Sequence, residues 1–163
     1  EIAQCLVGSE MCIRDSVYAA GDCSESLNSA TGKLQVMALL PNAYIQGEAA
    51  GINMAGGMKL YDDAIPMNSI GFWDIHVTTA GSYEGREIVR RDDDNYKKLI
   101  VSDDKKLLKG FILIGDIKRA GIYTRLIREK VPLDTIDFDE MIEKPQEMAF
   151  PSSVRKMYMG GVM

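Results

Sequence analysis

The chain has 163 residues, of which 46% are hydrophobic, 26% charged and 7% aromatic, and it carries a net charge of −5. This is a globular composition with room for one full domain and part of a second. The acidic balance excludes a general basic footprint for nucleic acid, no apolar run reaches the roughly 18 residues of a membrane span, and three scattered cysteines do not make a disulfide framework.

The segment Glu1–Ser16 holds no period of 2 or 3.6 for more than about four residues. Its start is acidic, and no apolar stretch of about seven residues follows, so it is not an export signal. The string Cys5–Ser16, CLVGSEMCIRDS, resembles the translation of a sequencing-adapter read. Residues 1–16 are therefore expected to be non-native, with a natural loop as the alternative. On that reading Cys5 and Cys12 carry no biological meaning, and the natural protein continues upstream.

Val17–Ala20 is a short apolar run ending at Gly21-Asp22, and predicts a buried strand. Cys23 to Val36 is rich in Ser, Asn, Thr and Gly and predicts a loop. Pro41 suits the first position of a helix, which runs to about Ala55 and stops at Gly56-Gly57. Gly47, Ala50 and Gly51 in that helix suit close packing against a sheet. Met58 to Pro66 predicts a linker. Beyond it, strands are expected at Ile70–Thr79, Arg86–Arg91, Tyr96–Ser102 and Leu107–Gly115, joined by short polar turns into an antiparallel meander. Phe111–Ile114 predicts a central strand buried on both faces. Asp116 is the expected N-cap of a helix over Lys118–Lys130, whose stripe is Ala120, Tyr123, Ile127 and Val131 and which Pro132 ends. A short helix is expected near Phe138–Glu143. The predicted organisation is 1–16 non-native, 17–57 the end of a first domain, 58–66 linker, 67–145 a second domain and 146–163 a Met-rich tail.

The chemistry concentrates in two places. Val17-Tyr18-Ala19-Ala20-Gly21-Asp22 delivers a carboxylate at the carboxyl end of a strand, the edge where open parallel sheets bind ligands. Gly21 lets a ligand approach the backbone, and Asp22 can accept a hydrogen bond from a sugar-like hydroxyl; an ordinary turn is the alternative. At Leu40-Pro41-Asn42-Ala43 a helix begins with Leu40 as its presumed N-cap, which offers no side-chain acceptor. The early N–H groups, on a partly positive helix end, suit a negative ligand group; water or Asn42 could also satisfy them.

Together VYAAGDCSES and LLPNAYIQGEAAGINMAGG resemble the end of the FAD domain in FAD-dependent pyridine nucleotide-disulfide oxidoreductases, above all NADH–rubredoxin reductase and the flavin portion of NAD(P)H–nitrite reductase. Pro66–Met163 looks like their C-terminal α+β domain. The resemblance implies an α+β chain: one strand and one helix from the tail of an α/β FAD-binding domain, then an antiparallel meander with a packed helix. It implies FAD as cofactor and NAD(P)H as electron donor in the full-length protein. Gly21 and Asp22 would meet the ribityl chain, and the N–H groups near Leu40, Asn42 and Ala43 the flavin pyrimidine edge. It also implies a homodimer and a small redox protein or small molecule as acceptor; a cytoplasmic location is expected from the lack of an export signal, and no nucleic-acid or membrane partner from the charge and the short apolar runs.

The family's GxGxxG turns are not found here. GINMAGG closes a helix, and Ala30-Thr31-Gly32-Lys33 has Leu27 where a P-loop requires glycine. The fragment by itself is thus expected to be inactive, with no catalytic or metal-binding residue assigned. Cys23 lacks a CxxC partner and reads as a small buried side chain. His76, the only histidine, reads as an ordinary strand residue. Asp92-Asp93-Asp94 reads as a charged turn, and Phe72 and Trp73 as core or interface residues. A stand-alone interaction or oligomerisation module without catalysis is the rival to the flavoprotein reading.

Overall fold

The computed structural model describes residues 17–62 and 64–146. The proposed non-native segment and all but the first residue of the expected tail lie outside them. The chain divides into two compact units, one up to Asn68 and one from Ser69 on.

In the first unit, Val17–Ala20 forms no strand. An apolar run becomes a strand only when a neighbour takes up its N–H and C=O groups, and none among the described residues does so. The segment Cys23–Val36, expected as a loop, instead contains a hairpin of β1 (Glu25–Asn28) and β2 (Lys33–Val36), paired from Glu25↔Val36 to Asn28↔Lys33. Its turn is closed by Asn28, whose Oδ1 accepts the Ala30 N–H at 2.9 Å and whose carbonyl accepts the Gly32 N–H at 2.7 Å. The alternation escapes a hydrophobicity reading because the buried face is polar: Ser24, Ser26 and Asn28 point inward.

Helix α1 spans Leu40–Met54. Its N-cap is Leu39, so Leu40 is the first helical residue and Pro41 the second. Gly56, at φ 85°, ends it as expected, with the Gly57 N–H reaching back to the Ile52 carbonyl at 2.9 Å. The inward stripe is Asn42, Gln46 and Ala49. The expected close approach at Gly47 and Gly51 is absent among the described residues: a Cβ on either would meet nothing within 4 Å. Met58–Pro66 is no free linker. Lys59 exchanges backbone hydrogen bonds with the Asn53 side chain at 2.6 and 3.0 Å, Ala64 accepts the Ser29 N–H at 2.8 Å, and Ala64 and Ile65 are buried.

The second unit is built on a five-stranded antiparallel sheet of β3 (Met67–Phe72), β4 (Ile75–Gly81), β5 (Arg86–Arg91), β6 (Tyr96–Val101) and β7 (Leu108–Ile114), in the order β3-β4-β7-β6-β5. The single strand expected over Ile70–Thr79 is a hairpin. Its turn carries the left-handed conformation on Trp73, at φ 54°, where the sequence offers no glycine or asparagine to announce it. Only β5, β6 and β7 form a meander. β4 pairs with the far side of β7, from Val77↔Ile114 to Gly81↔Gly110. The Gly81-to-Gly85 segment, read as a hairpin turn, therefore crosses the ends of β7 and β6.

That crossing requires glycine. A Cβ on Gly81 would stand 2.1 Å from the Lys109 carbonyl oxygen, one on Gly110 2.1 Å from that of Ser82, and one on Gly85 2.3 Å from that of Val101. Gly81 and Gly85 also sit at φ 82° and 149°, which a side chain would strain. Helix α2 (Ala120–Arg128) packs on β7 and β4. Its Tyr123, Leu126 and Ile127 join Leu99, Phe111 and Leu113 in the core. The helix is shorter than the expected Lys118–Lys130: of its expected stripe Tyr123 and Ile127 are buried on α2, Val131 is buried beyond the helix end, and Ala120 is only half-buried. Asp116 does not cap it: its carboxylate accepts the Lys118 N–H at 3.1 Å in a turn that precedes the helix, and the N-cap is Arg119 at φ 62°. β7 is central, yet Ile112 and Ile114 stay half-exposed, so only one face is fully buried. A 3-10 turn at Leu133–Thr135 leads to α3 (Phe138–Glu143), where Asp137 caps Glu140 at 3.0 Å and Met141 accepts the Tyr123 hydroxyl at 2.5 Å. Burial holds the Tyr123 phenol above its ordinary pKa.

These glycines predict opposite outcomes for one substitution. Gly110→Ala is expected to destabilise the chain by about 2–3 kcal/mol through backbone overlap. Gly47→Ala, in open helical space, is expected to stabilise it by roughly 0.5–1 kcal/mol. Urea titration followed by circular dichroism measures both.

Candidate functional site

The first unit brings together the two sequence features expected to act jointly. Gly21, at φ 93°, lies beside the first turn of α1: a Cβ placed on it would be 4.0 Å from the Ala43 Cβ. Left-handed backbone there turns the chain at Gly21-Asp22, and the Ser24 N–H closes that turn on the Gly21 carbonyl at 3.1 Å. The Asp22 side chain is exposed and makes no hydrogen bond or ion pair with the described residues. It is a carboxylate free to accept from a hydroxyl.

What holds this geometry is Gln46, a residue the motif reading did not assign a role. Its Oε1 accepts the Gly21 N–H at 2.6 Å and the Ser24 hydroxyl at 3.1 Å, while its Nε2 donates to the Ser26 hydroxyl. The amide is buried, as are both serines, so each bond satisfies groups that water does not reach. A signal existed in the sequence: Asn42, Gln46 and Ala49 share one helical face, and two of them are polar.

The start of α1 is rich in unspent donors. The first intrahelical bond runs from the Ala43 N–H to the Leu39 carbonyl at 3.0 Å. Leu39 supplies no side-chain cap, and the N–H groups of Leu40 and Asn42 find no acceptor among the described residues. Asn42 is only 4% exposed. Its Oδ1 accepts the Tyr61 hydroxyl at 3.0 Å, but its Nδ2 is buried without a partner. Among the described residues Asn42 therefore does not satisfy the helix end, contrary to the alternative offered by the sequence. Next to these donors Leu40 and Tyr44, one turn apart, are 84% and 75% exposed. The arrangement offers a carboxylate for hydroxyls, a positive helix end for a polar ring edge, and uncovered apolar surface for a flat ligand or further chain.

The other candidates take ordinary places. Cys23 is exposed, contrary to the buried reading, with its thiol 3.5 Å from the Ala20 carbonyl. His76 lies exposed on β4. Asp92 is a turn residue whose Oδ1 accepts the N–H groups of Asp94 and Asn95 at 3.0 and 2.8 Å, and the Asp94 contact above all holds its carboxyl below the usual range. Phe72 and Trp73 stack with centroids 5.3 Å apart and are exposed rather than core. No helix among the described residues is long and apolar enough to cross a membrane.

Comparison with known proteins gives this arrangement a lineage. The chain is 34% identical over 127 residues to the epsilon subunit of NADH-dependent phenylglyoxylate dehydrogenase from Aromatoleum evansii, a match covering 73% of this chain and 30% of the relative. In fold it is similar to the NAD-dependent persulfide reductase of A. fulgidus, at 23% identity and TM-score 0.66 over 73% of this chain and 26% of that one. It is also similar to the NADH:rubredoxin oxidoreductase of Clostridium acetobutylicum, at 23% identity and TM-score 0.57 over 85% and 36%. The fold is the α+β arrangement of the C-terminal domain of pyridine nucleotide-disulfide oxidoreductases. More narrowly, residues 66–131 match the rubredoxin NAD+ reductase C-terminal domain. This agrees with the resemblance read from the sequence. The chain spans less than a third of the length of the curated relative it matches.

Gln46→Leu tests the scaffold. It leaves the Ser26 hydroxyl and Gly21 N–H buried or half-buried without partners, and is expected to cost about 2–4 kcal/mol. The Gly21 amide is expected to lose its hydrogen-exchange protection well before the amides of β6 and β7 do, as read by NMR.

Proposed function

We propose that this chain is the trailing part of a longer cytoplasmic flavoprotein that passes electrons from NAD(P)H through FAD to a redox protein or small acceptor. The family match supports it, as does a homologue described as NADH-dependent. The observation that carries it is the Gly21-Asp22 turn lying against the first turn of α1, with Asp22 exposed and the helix-start donors unspent.

The residues present fit FAD. Asp22 accepts hydrogen bonds from the ribityl hydroxyls, and Gly21 leaves the backbone open beside them. The N–H groups of Leu40 and Asn42 donate toward the pyrimidine edge, with Ala43 in the same turn. Gln46 keeps the two elements in register. Bound there, the flavin supplies the hydride-accepting chemistry. The helix end favours negative charge on the ring by about 0.3–1 kcal/mol, up to about 2 when partly buried. The protein encoded with its upstream sequence is expected to purify yellow. Asp22→Ala is expected to weaken FAD binding by roughly tenfold to a hundredfold, the loss of a charged hydrogen bond, as measured by fluorescence titration of the apoprotein. A colourless full-length protein, or unchanged affinity, defeats the proposal.

The second unit acts as a homodimer contact in this reading. On the β3–β4 hairpin Ile70, Phe72, Trp73 and Ile75 are each more than half exposed, and β3 is an edge strand. An apolar tip beside an open edge suits a second copy. Sedimentation equilibrium is expected to show a dimer that Phe72→Ser with Trp73→Ser converts to monomer.

A further inference from the structure

The second unit contains a cleft of about 480 Å³, formed by the β5–β6 turn, the Asp116–Arg119 turn and the end of α3. We propose that it binds a phosphate-bearing small molecule. Its size lies in the range of roughly 300–1,000 Å³ typical of small-ligand sites. Its charge is unlike that of the chain: six cationic residues line it against three acidic ones, whereas the whole chain carries −5.

The three acids are already engaged. Asp92 is spent on its turn, accepting the Asp94 and Asn95 N–H groups and the Asn95 amide at 2.9 Å. Asp116 accepts the Lys118 N–H. Glu143 pairs with Arg90 at 2.9 Å. The cations divide into two sets. Arg90, Lys97 and Arg119 build the walls: Lys97 donates to the Ile142 carbonyl at 2.7 Å and that of Glu143 at 3.3 Å, and Arg119 donates to the Pro145 carbonyl at 3.0 Å. These bonds fasten the end of α3 against β6 and the turn before α2. Arg91, Lys118 and Lys144 are exposed, line the same cleft and make no ion pair among the described residues. Desolvation also lowers the pKa of the half-buried Lys97 ammonium, so a nearby anion would compensate a charge that burial penalises. Positive charge focused in a concave site draws anions, and phosphate oxygens accept from several such donors at once.

Calorimetric titration of the 163-residue chain at low salt tests this with ADP, inorganic pyrophosphate and adenosine. ADP or pyrophosphate is expected to bind saturably and adenosine not to bind. Tighter binding of ADP assigns a nucleotide, and equal binding assigns the phosphate group alone. Combined Arg91→Gln, Lys118→Gln and Lys144→Gln is expected to weaken binding by about tenfold or more, as does raised salt. Because these side chains lie at the surface, the melting temperature should stay unchanged, and Lys118→Gln alone provides a milder check. Absence of saturable binding by both phosphates, adenosine binding as tightly as ADP, or an unaffected triple variant overturns the proposal. No flavin enters the measurement, so its failure is separate from failure of the flavoprotein reading.

Discussion

The side-chain amide of Gln46 meets the Gly21 N–H, the Ser24 hydroxyl and the Ser26 hydroxyl at once. The Ser24 hydroxyl also reaches the Gly21 carbonyl at 2.9 Å, whereas the Gly21 N–H and the Ser26 hydroxyl would each cost about 1–3 kcal/mol of unrecovered desolvation without Gln46. The bonds tie three pieces of chain to a single helix face: the Gly21-Asp22 turn, the first hairpin and α1. The position of Gly21 beside the first turn of α1 follows from them. Beside the buried Met37, Ala49, Ala64 and Ile65, the inner face of the hairpin is made of serines and asparagine, and a polar network specifies one arrangement only while every member is paired. Among the described residues the Ser29 hydroxyl and the Nδ2 of Asn42 are the exceptions, and the second lies at the helix start proposed to meet the flavin.

The second unit rests on a different constraint. Its core is apolar, with Leu99, Phe111, Leu113, Tyr123, Leu126 and Met141 fully buried. Its topology depends on backbone passing over backbone at Gly81, Gly85 and Gly110. Without that crossing β5 would lie next to β4, and the β6–β7 hairpin could not insert between them. The insertion places β7 at the centre, where α2 covers one face, and sends the β5–β6 turn to the end of the sheet where α3 and the Asp116–Arg119 turn meet it. The cationic cleft is a product of that order.

Much of the second unit was legible in the residues. β6 and β7 carry continuous apolar runs, β5 is set off by polar turns, and the short helix Phe138–Glu143 stands where expected. The errors share a cause. The turn at Trp73-Asp74 uses a left-handed tryptophan, so no glycine marks it. The hairpin in Cys23–Val36 buries polar side chains, so its period is invisible to a hydrophobic count. Asp116 has the residue type of a cap but spends its carboxylate one turn too early. In each case the local rule was right about chemistry and silent about which partner the fold would supply.

By itself the sequence determined the α+β class, the existence of α1, α2 and α3, and the two motifs, the Gly21-Asp22 turn and the start of α1, that the fold brings together. These depend on local spacing, capping and residue type, which one stretch of chain carries. Tertiary structure alone decided that β4 pairs across β7, that Gln46 is the post holding Gly21, and that six cations from separate segments share one cleft. Those are long-range pairings, and two residues far apart in the chain reveal their partnership only once folding has brought their donors and acceptors together.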